Sequence, residues 1–177
     1  MATRRRADRP LTDLGREQAQ KLGASLAGID IAAAYSSDLS RAFDTARIAV
    51  ADRRIVVRAV RDLRERALGS WEGLLDAEVP VLFPELYARW NAGPGIGAPD
   101  AEEFRPFAER VERGVRCIAD EHPTDTVLVV AHAGPMRVLH ALAAGLDFVA
   151  SRRSLGEPPH ATAVRYEMTG GRLRRAG

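Results

Sequence analysis

A single cysteine, Cys117, stands among 177 residues, so neither an internal disulfide nor a cysteine-based metal cluster can form. It falls in a helical stretch and is expected to be an inert, partly buried small residue. Lysine is almost absent: Lys21 is the only one, and every other basic residue is arginine. No apolar run reaches the length needed to cross a membrane. Arg4-Arg5-Arg6 is followed by no apolar segment, so the N-terminus does not read as a secretory signal. The expected location is therefore cytoplasmic. His, Asp and Glu show no metal-ligand spacing, so no metal and no cofactor is implied. Aromatics make up only 6%, and the arginines cluster only at Arg4–Arg6 and Arg172–Arg175. A nucleic-acid surface needs a basic stripe with interleaved aromatics, so nucleic acid is disfavoured as a partner. What remains, at 46% hydrophobic and 28% charged, is the composition of an ordinary globular protein long enough for a full core.

The chain is organised around Val127-Leu128-Val129-Val130-Ala131-His132-Ala133-Gly134-Pro135-Met136-Arg137. Four apolar residues in a row predict a strand buried on both faces, in the middle of an α/β sheet. Ala133-Gly134-Pro135 turns the chain into a helix with Met136, Leu139, Leu142, Ala143 and Leu146 on its apolar side. His132 is thereby placed at the carboxyl end of a central strand, beside a helix N-terminus. Ligands of open α/β sheets bind at that edge, and helix N-termini attract anions.

Upstream, Thr12 is a plausible N-cap for a helix that carries Ala19, Leu22 and Leu26 and ends near Gly28. Residues 31–35 read as a strand. Ser36-Ser37-Asp38 is a loop and cap cluster, and the helix after it places Leu39, Ala42, Phe43, Ala46, Ala49 and Val50 on one face. Arg41 and Thr45 lie off that stripe. Residues 55–60 form another strand and 62–73 a loop. Pro80 and Pro84 split residues 74–90 into two short helices, and 91–100 is an exposed loop. A helix over 101–121 turns Phe104, Phe107, Val111 and Ile118 inward. Thr162, Val164, Tyr166 and Met168 alternate as a half-exposed strand before Gly170-Gly171. Strands alternating with helices predict one α/β domain over residues 1–177 with a largely parallel sheet.

Four segments then carry a resemblance. Asp8-Arg9-Pro10-Leu11-Thr12-Asp13-Leu14-Gly15 with Gln18-Ala19 is the first, and Tyr35-Ser36-Ser37-Asp38-Leu39-Ser40-Arg41-Ala42 with Thr45-Ala46 the second. Leu63-Arg64-Glu65 with Gly69 and Trp71-Glu72-Gly73 is the third, and Val130-Ala131-His132-Ala133-Gly134 with Arg137 the fourth. Together, in order, they resemble the motifs of the histidine phosphatase superfamily, the phosphoglycerate-mutase-like proteins. The resemblance implies a three-layer αβα sandwich and a phosphomonoester hydrolase acting on a small phosphorylated molecule. Phosphatase is favoured over phosphomutase because the chain is short. A pseudoenzyme that binds a phosphorylated ligand is the main alternative.

By the same resemblance, Arg41 and His132 bind the phosphoryl group, with the Ala133 backbone beside them. Glu65 is the general acid/base, chosen over Asp62 and Glu72 by the family pattern alone. Residues 74–100 form a lid, whose Val79, Leu82, Phe83 and Trp90 either meet the substrate or pack on the core. Two departures stand out. Ala133 replaces the family's usual glycine and narrows the pocket. The strand ending in Arg-His-Gly, whose histidine is the family's nucleophile, does not occur in these residues, and no histidine precedes His122. The sheet is then expected to lack a middle strand. A closed gap, a strand borrowed from another copy, or a homodimer would each repair it.

Overall fold

The computed structural model describes residues 8–92, 98, 100–152, 154–156 and 158–176. Three short strands, β1 (Ala33–Ser36), β2 (Val57–Ala59) and β3 (Val127–Val130), form a parallel sheet in the order β2-β1-β3. Helices cover both of its faces, in the expected αβα layering. On one face α1 (Asp13–Ser25) and α2 (Ser40–Ala49) supply Leu22, Leu26 and Ala49, which close with Ile31 over Leu128. On the other face α5 (Phe104–Glu121) sets Ile118 against Tyr35 and Leu63, with Val127 and Val129 beside them. Leu128 and its two neighbours thus point to opposite sides, as pleating requires. Each large aliphatic side chain removed from water here contributes about 1.5–3 kcal/mol.

Local signals account for most element ends. The Thr12 hydroxyl accepts from the Gly15 N–H at 3.2 Å and caps α1. The helix stops at Ser25, before the expected Gly28, because Leu26 already closes it with bonds to Leu22 and Gly23. The two prolines fall in the first turns of α3 (Val79–Leu82) and α4 (Pro84–Ala92), where the missing N–H has no helical partner to lose. Helix α5 begins at Phe104 rather than at 101, and α6 (Ala133–Ala143) begins directly after His132.

Several features depart from expectation. Ser36-Ser37-Asp38 does not cap α2; its N-cap is Leu39, and the Ser40 N–H donates instead to Asp8 at 2.8 Å. Cys117 of α5 is exposed rather than partly buried. A four-residue helix, α7 (Phe148–Ser151), precedes a hairpin of β4 (Tyr166–Thr169) and β5 (Arg172–Arg175). Gly170 and Gly171 turn that hairpin at φ of 56° and 73°, which L side chains rarely adopt. Arg172, Arg174 and Arg175 therefore lie along an exposed strand, and Arg4–Arg6 lie outside the described residues. Most of the 91–100 loop also lies outside them. Among the described residues β3 pairs with β1 alone, and β4 with β5 alone. The gap between the sheet and the hairpin is not closed by either.

Candidate functional site

A cleft of about 1820 Å³ runs along β3 to its carboxyl end. Arg41, Glu65, His132, Ala133 and Gly134 all line it, so one space receives every residue that the sequence singled out for phosphate chemistry. Parallel strands bring this about. Ser36 and Val130 are register partners at the ends of β1 and β3, so the residues that follow each strand emerge side by side.

Ser37 follows β1 and is fully buried. Its N–H donates to the Val130 carbonyl at 2.9 Å, and its Oγ accepts from the Leu39 N–H at 3.3 Å. The same Oγ lies 2.8 Å from His132 Nε2. A hydroxyl can donate or accept, so this contact fixes the imidazole plane in either tautomer. Arg41 sits in the first turn of α2, and the Thr45 hydroxyl donates to its carbonyl at 2.8 Å.

Glu65 reaches the same point from a loop. Its Oε2 accepts from the Gly134 N–H at 3.0 Å and its Oε1 from the Arg66 N–H at 2.9 Å. A Cβ at position 134 would collide with this carboxylate, so glycine is required one residue after Ala133. The two competing acids go elsewhere. Asp62 pairs with Arg113 at 3.0 and 3.1 Å, and Glu72 accepts from the Leu68 N–H at 3.1 Å. Of the three, only Glu65 lines the cleft.

The loop that carries Glu65 is latched by a residue that sequence reasoning missed. Arg110 of α5 grips Glu102 through two bonds of 2.6 and 2.7 Å. The rest of its fork donates to the carbonyls of Asp62, Arg64 and Glu65 at 2.7, 2.9 and 3.2 Å. Five donors in a fixed plane suit this task, which a lysine could not perform. On the other side of the loop, Arg64 holds Asp38 bidentately at 2.6 and 2.7 Å. That contact pulls the Asp38 carboxyl below its ordinary range. Hydrogen bonds from Ser40 do the same to Asp8.

The far wall of the cleft mixes aromatic and cationic groups. Phe104 stacks on Trp90 with ring centroids 5.6 Å apart. The buried guanidinium groups of Arg66 and Arg152 lie 4.3 and 4.6 Å from the Phe104 ring centre. Of the expected lid residues, Val79 is fully buried against Trp71 and Leu82 is exposed on α3, while Trp90 lines the cleft. His122 also borders the cleft and is held by Tyr35 at 2.8 Å and Asp125 at 2.9 Å. No cluster of three or more His, Cys, Asp or Glu among the described residues could hold a metal, and no described helix could cross a membrane.

The family model of the histidine phosphatase superfamily (branch 1) matches residues 2–177. The chain belongs to the histidine phosphatase superfamily. Within this superfamily it is 36% identical over 141 residues to phosphoglycerate mutase-like protein 4 of Arabidopsis thaliana, covering 75% of the chain and 60% of that protein. It is 33% identical over 141 residues to the adenosylcobalamin/alpha-ribazole phosphatase of Escherichia coli, covering 79% and 70%. The chain thus spans less than two thirds of the plant protein's length. Among solved histidine phosphatase-like structures, YhfR of Bacillus stearothermophilus superposes with a TM-score of 0.86 at 31% identity, over 94% of this chain and 83% of that one. A mycobacterial glucosyl-3-phosphoglycerate phosphatase does so with a TM-score of 0.83 at 28% identity, over 99% and 88%. Phosphatases therefore recur among the relatives of both kinds, and the three-layer fold is that of the superfamily.

Proposed function

We propose that the cleft binds the phosphoryl group of a small phosphomonoester and supports its hydrolysis. The observation that carries this reading is the docking of Glu65 on the Gly134 N–H, two residues from His132, in a cleft that Arg41 also lines. Arg41 would meet the phosphoryl oxygens with charge-assisted hydrogen bonds worth about 1.5–3 kcal/mol each. His132, held by Ser37, and the backbone at Ala133 would donate to the same oxygens as charge spreads over them. Glu65 would protonate the leaving oxygen or take a proton from the incoming water. Residues 74–100 would form the lid, with Trp90 facing the leaving group. Phosphatase names among the relatives favour hydrolysis over a phosphomutase reaction.

A second reading, binding without turnover, is favoured by the placement of the histidines. His122 is engaged by Tyr35 and Asp125, and His140 is set in α6 against Tyr166. Both are held by partners other than His132, and His160, the fourth histidine, lines the cleft. Release of phosphate from an aryl phosphate, with a metal chelator present, separates the two readings. Turnover lost in Arg41→Ala and slowed about 10²–10⁴-fold in Glu65→Gln supports hydrolysis. A folded chain that binds phosphate but releases none supports the second reading. Turnover unchanged by either substitution would refute the assignment of the site.

A further inference from the structure

Arg66 and Arg152 are each only 6% exposed, a degree of burial unusual for arginine, and both line the cleft. They come from distant places in the chain, the loop just after Glu65 and the end of α7, and converge on one ring. Their guanidinium carbons lie 4.3 and 4.6 Å from the Phe104 ring centre, so the two positive charges stand less than about 9 Å apart and repel each other. Backbone carbonyls orient both groups. Arg66 Nη1 donates to the Glu102 carbonyl at 2.5 Å, and Arg152 Nη1 to the Val149 carbonyl at 2.7 Å. Phe104 is fixed in turn by Trp90, stacked on it at 5.6 Å, and by Phe148 at 6.3 Å. An anion that meets two guanidinium groups among aromatic rings gains more than it would in water, because the local dielectric is low.

The pair stands where a leaving group would be. The Arg66 N–H donates to Glu65 Oε1 at 2.9 Å, so Arg66 adjoins the carboxylate that would serve the leaving oxygen. Its guanidinium carbon is also 5.3 Å from the centre of the Trp90 ring, which lines the cleft. The Glu65 loop is already latched by Arg110 and Arg64, so holding that loop does not require the pair.

We propose that Arg66 and Arg152 form a second anion subsite, which takes a carboxylate or a second phosphate carried by the leaving group. The inference rests on the assignment of Arg41 and His132 to the phosphoryl group, and it adds the substrate class. Phosphate esters of hydroxy acids or of phosphorylated alcohols are preferred over esters of neutral alcohols. Guanidinium forks present paired donors that match either anion. A negative charge between the two groups also cancels their mutual repulsion. Trp90 and Phe104 offer apolar surface beside the pair, which suits an uncharged spacer between the two anions.

Calorimetric titration of the full 177-residue chain compares matched ligands. The phosphate esters of glycolic, 3-hydroxypropionic and 4-hydroxybutyric acid are set against their N-methyl amides, and 1,3-propanediol bisphosphate against the monophosphate. In at least one pair the ligand with the second anion is expected to bind about tenfold more tightly or better, and the two series show which anion is preferred. Arg66→Met and Arg152→Met each keep an aliphatic side chain and remove a fork, and each should bring that ratio below about threefold. Should both variants fail to fold, the Nε–H resonances of Arg66 and Arg152 in the wild-type chain carry the comparison, and are expected to move with the acid and not with its amide. Equal affinity within every pair, with all binding lost in Arg41→Ala, overturns the second subsite while the phosphoryl site stands. Binding of no ester at all overturns both assignments. A preference for the second anion that survives both methionine substitutions, or that leaves both arginine resonances unmoved, places that anion elsewhere and overturns the proposal.

Discussion

Replacing Arg110 by methionine keeps an aliphatic side chain and deletes the guanidinium fork, which also lies 4.9 Å from the Phe107 ring centre. The consequence can be worked from its partners. The Arg110 and Glu102 side chains are 16% and 21% exposed, so their ion pair is largely shielded from water. Without the fork, Glu102 keeps the bond from the Ala67 N–H at 3.1 Å but loses both bonds to Arg110, and the carbonyls of Asp62, Arg64 and Glu65 lose a donor. Breaking a fully buried pair by removing one partner costs about 3–5 kcal/mol. Residual exposure lets water rescue part of that, which leaves about 2–4 kcal/mol for this site. At roughly 2–4 °C per kcal/mol for a chain of this size, the melting temperature should fall by about 4–16 °C. Urea unfolding of Arg110→Met, Glu102→Gln and the double variant measures both the cost and the coupling. The double variant should be less destabilised than the sum of the singles by at least about 1 kcal/mol, because the stranded carboxylate is gone. A single variant within about 0.5 kcal/mol of wild type would refute the reasoning, since surface changes fall in that range.

Two further outcomes follow from titratable groups. Burial pushes the Tyr166 phenol up to about 12, with Arg175 partly offsetting it. The unfolded chain ionises near pH 10, so Tyr166 contributes stability that is present below that pH and lost as pH rises toward about 12. Ultraviolet titration of Tyr166→Phe should lack the last phenolic step. Tyr166 Oη and His140 Nε2 are buried without a hydrogen-bond partner among the described residues. The same variant at neutral pH should therefore be neutral or more stable, by up to about 1 kcal/mol, and a loss larger than that counts against it. Asp38 gives the opposite slope. Its carboxyl is held low by Arg64, so its contribution is present above about pH 4 and lost as pH falls through the lowered value. Asp38→Asn should cost about 1–2 kcal/mol at pH 7, and the gap to wild type should shrink at pH 2–3 in denaturant titrations.

How far the sequence reveals this molecule depends on the range of each interaction. Strand β3 and helix α6 were legible because four apolar residues and a Gly-Pro turn are local signals, as were the Thr12 cap and the two prolines in the first turns of α3 and α4. Strand β1 was placed two residues early at its start. Ile31 belongs to the helix-side core, and Ala32 adds one bond to Thr126 before regular pairing begins. The hairpin was half-read: β5 is largely exposed and arginine-rich, so it has no apolar period to betray it. Long-range contacts left no trace at all. Ser37 and His132 meet across 95 residues, and Arg110 reaches back 45 or more to latch the Glu65 loop. Spacing alone therefore could not separate Glu65 from Asp62 and Glu72. The fold separates them by sending Asp62 to Arg113 and turning Glu72 onto its own loop.

Calorimetric titration with inorganic phosphate tests the site most directly, because it asks only whether the cleft holds the group on which the proposed chemistry depends. Saturable binding in the wild-type chain is expected, weakened at least tenfold by Arg41→Ala and also by His132→Ala, with both variants still folded. Binding that neither substitution changes, or none up to tens of millimolar phosphate, would contradict the assignment of Arg41 and His132 to a phosphoryl group.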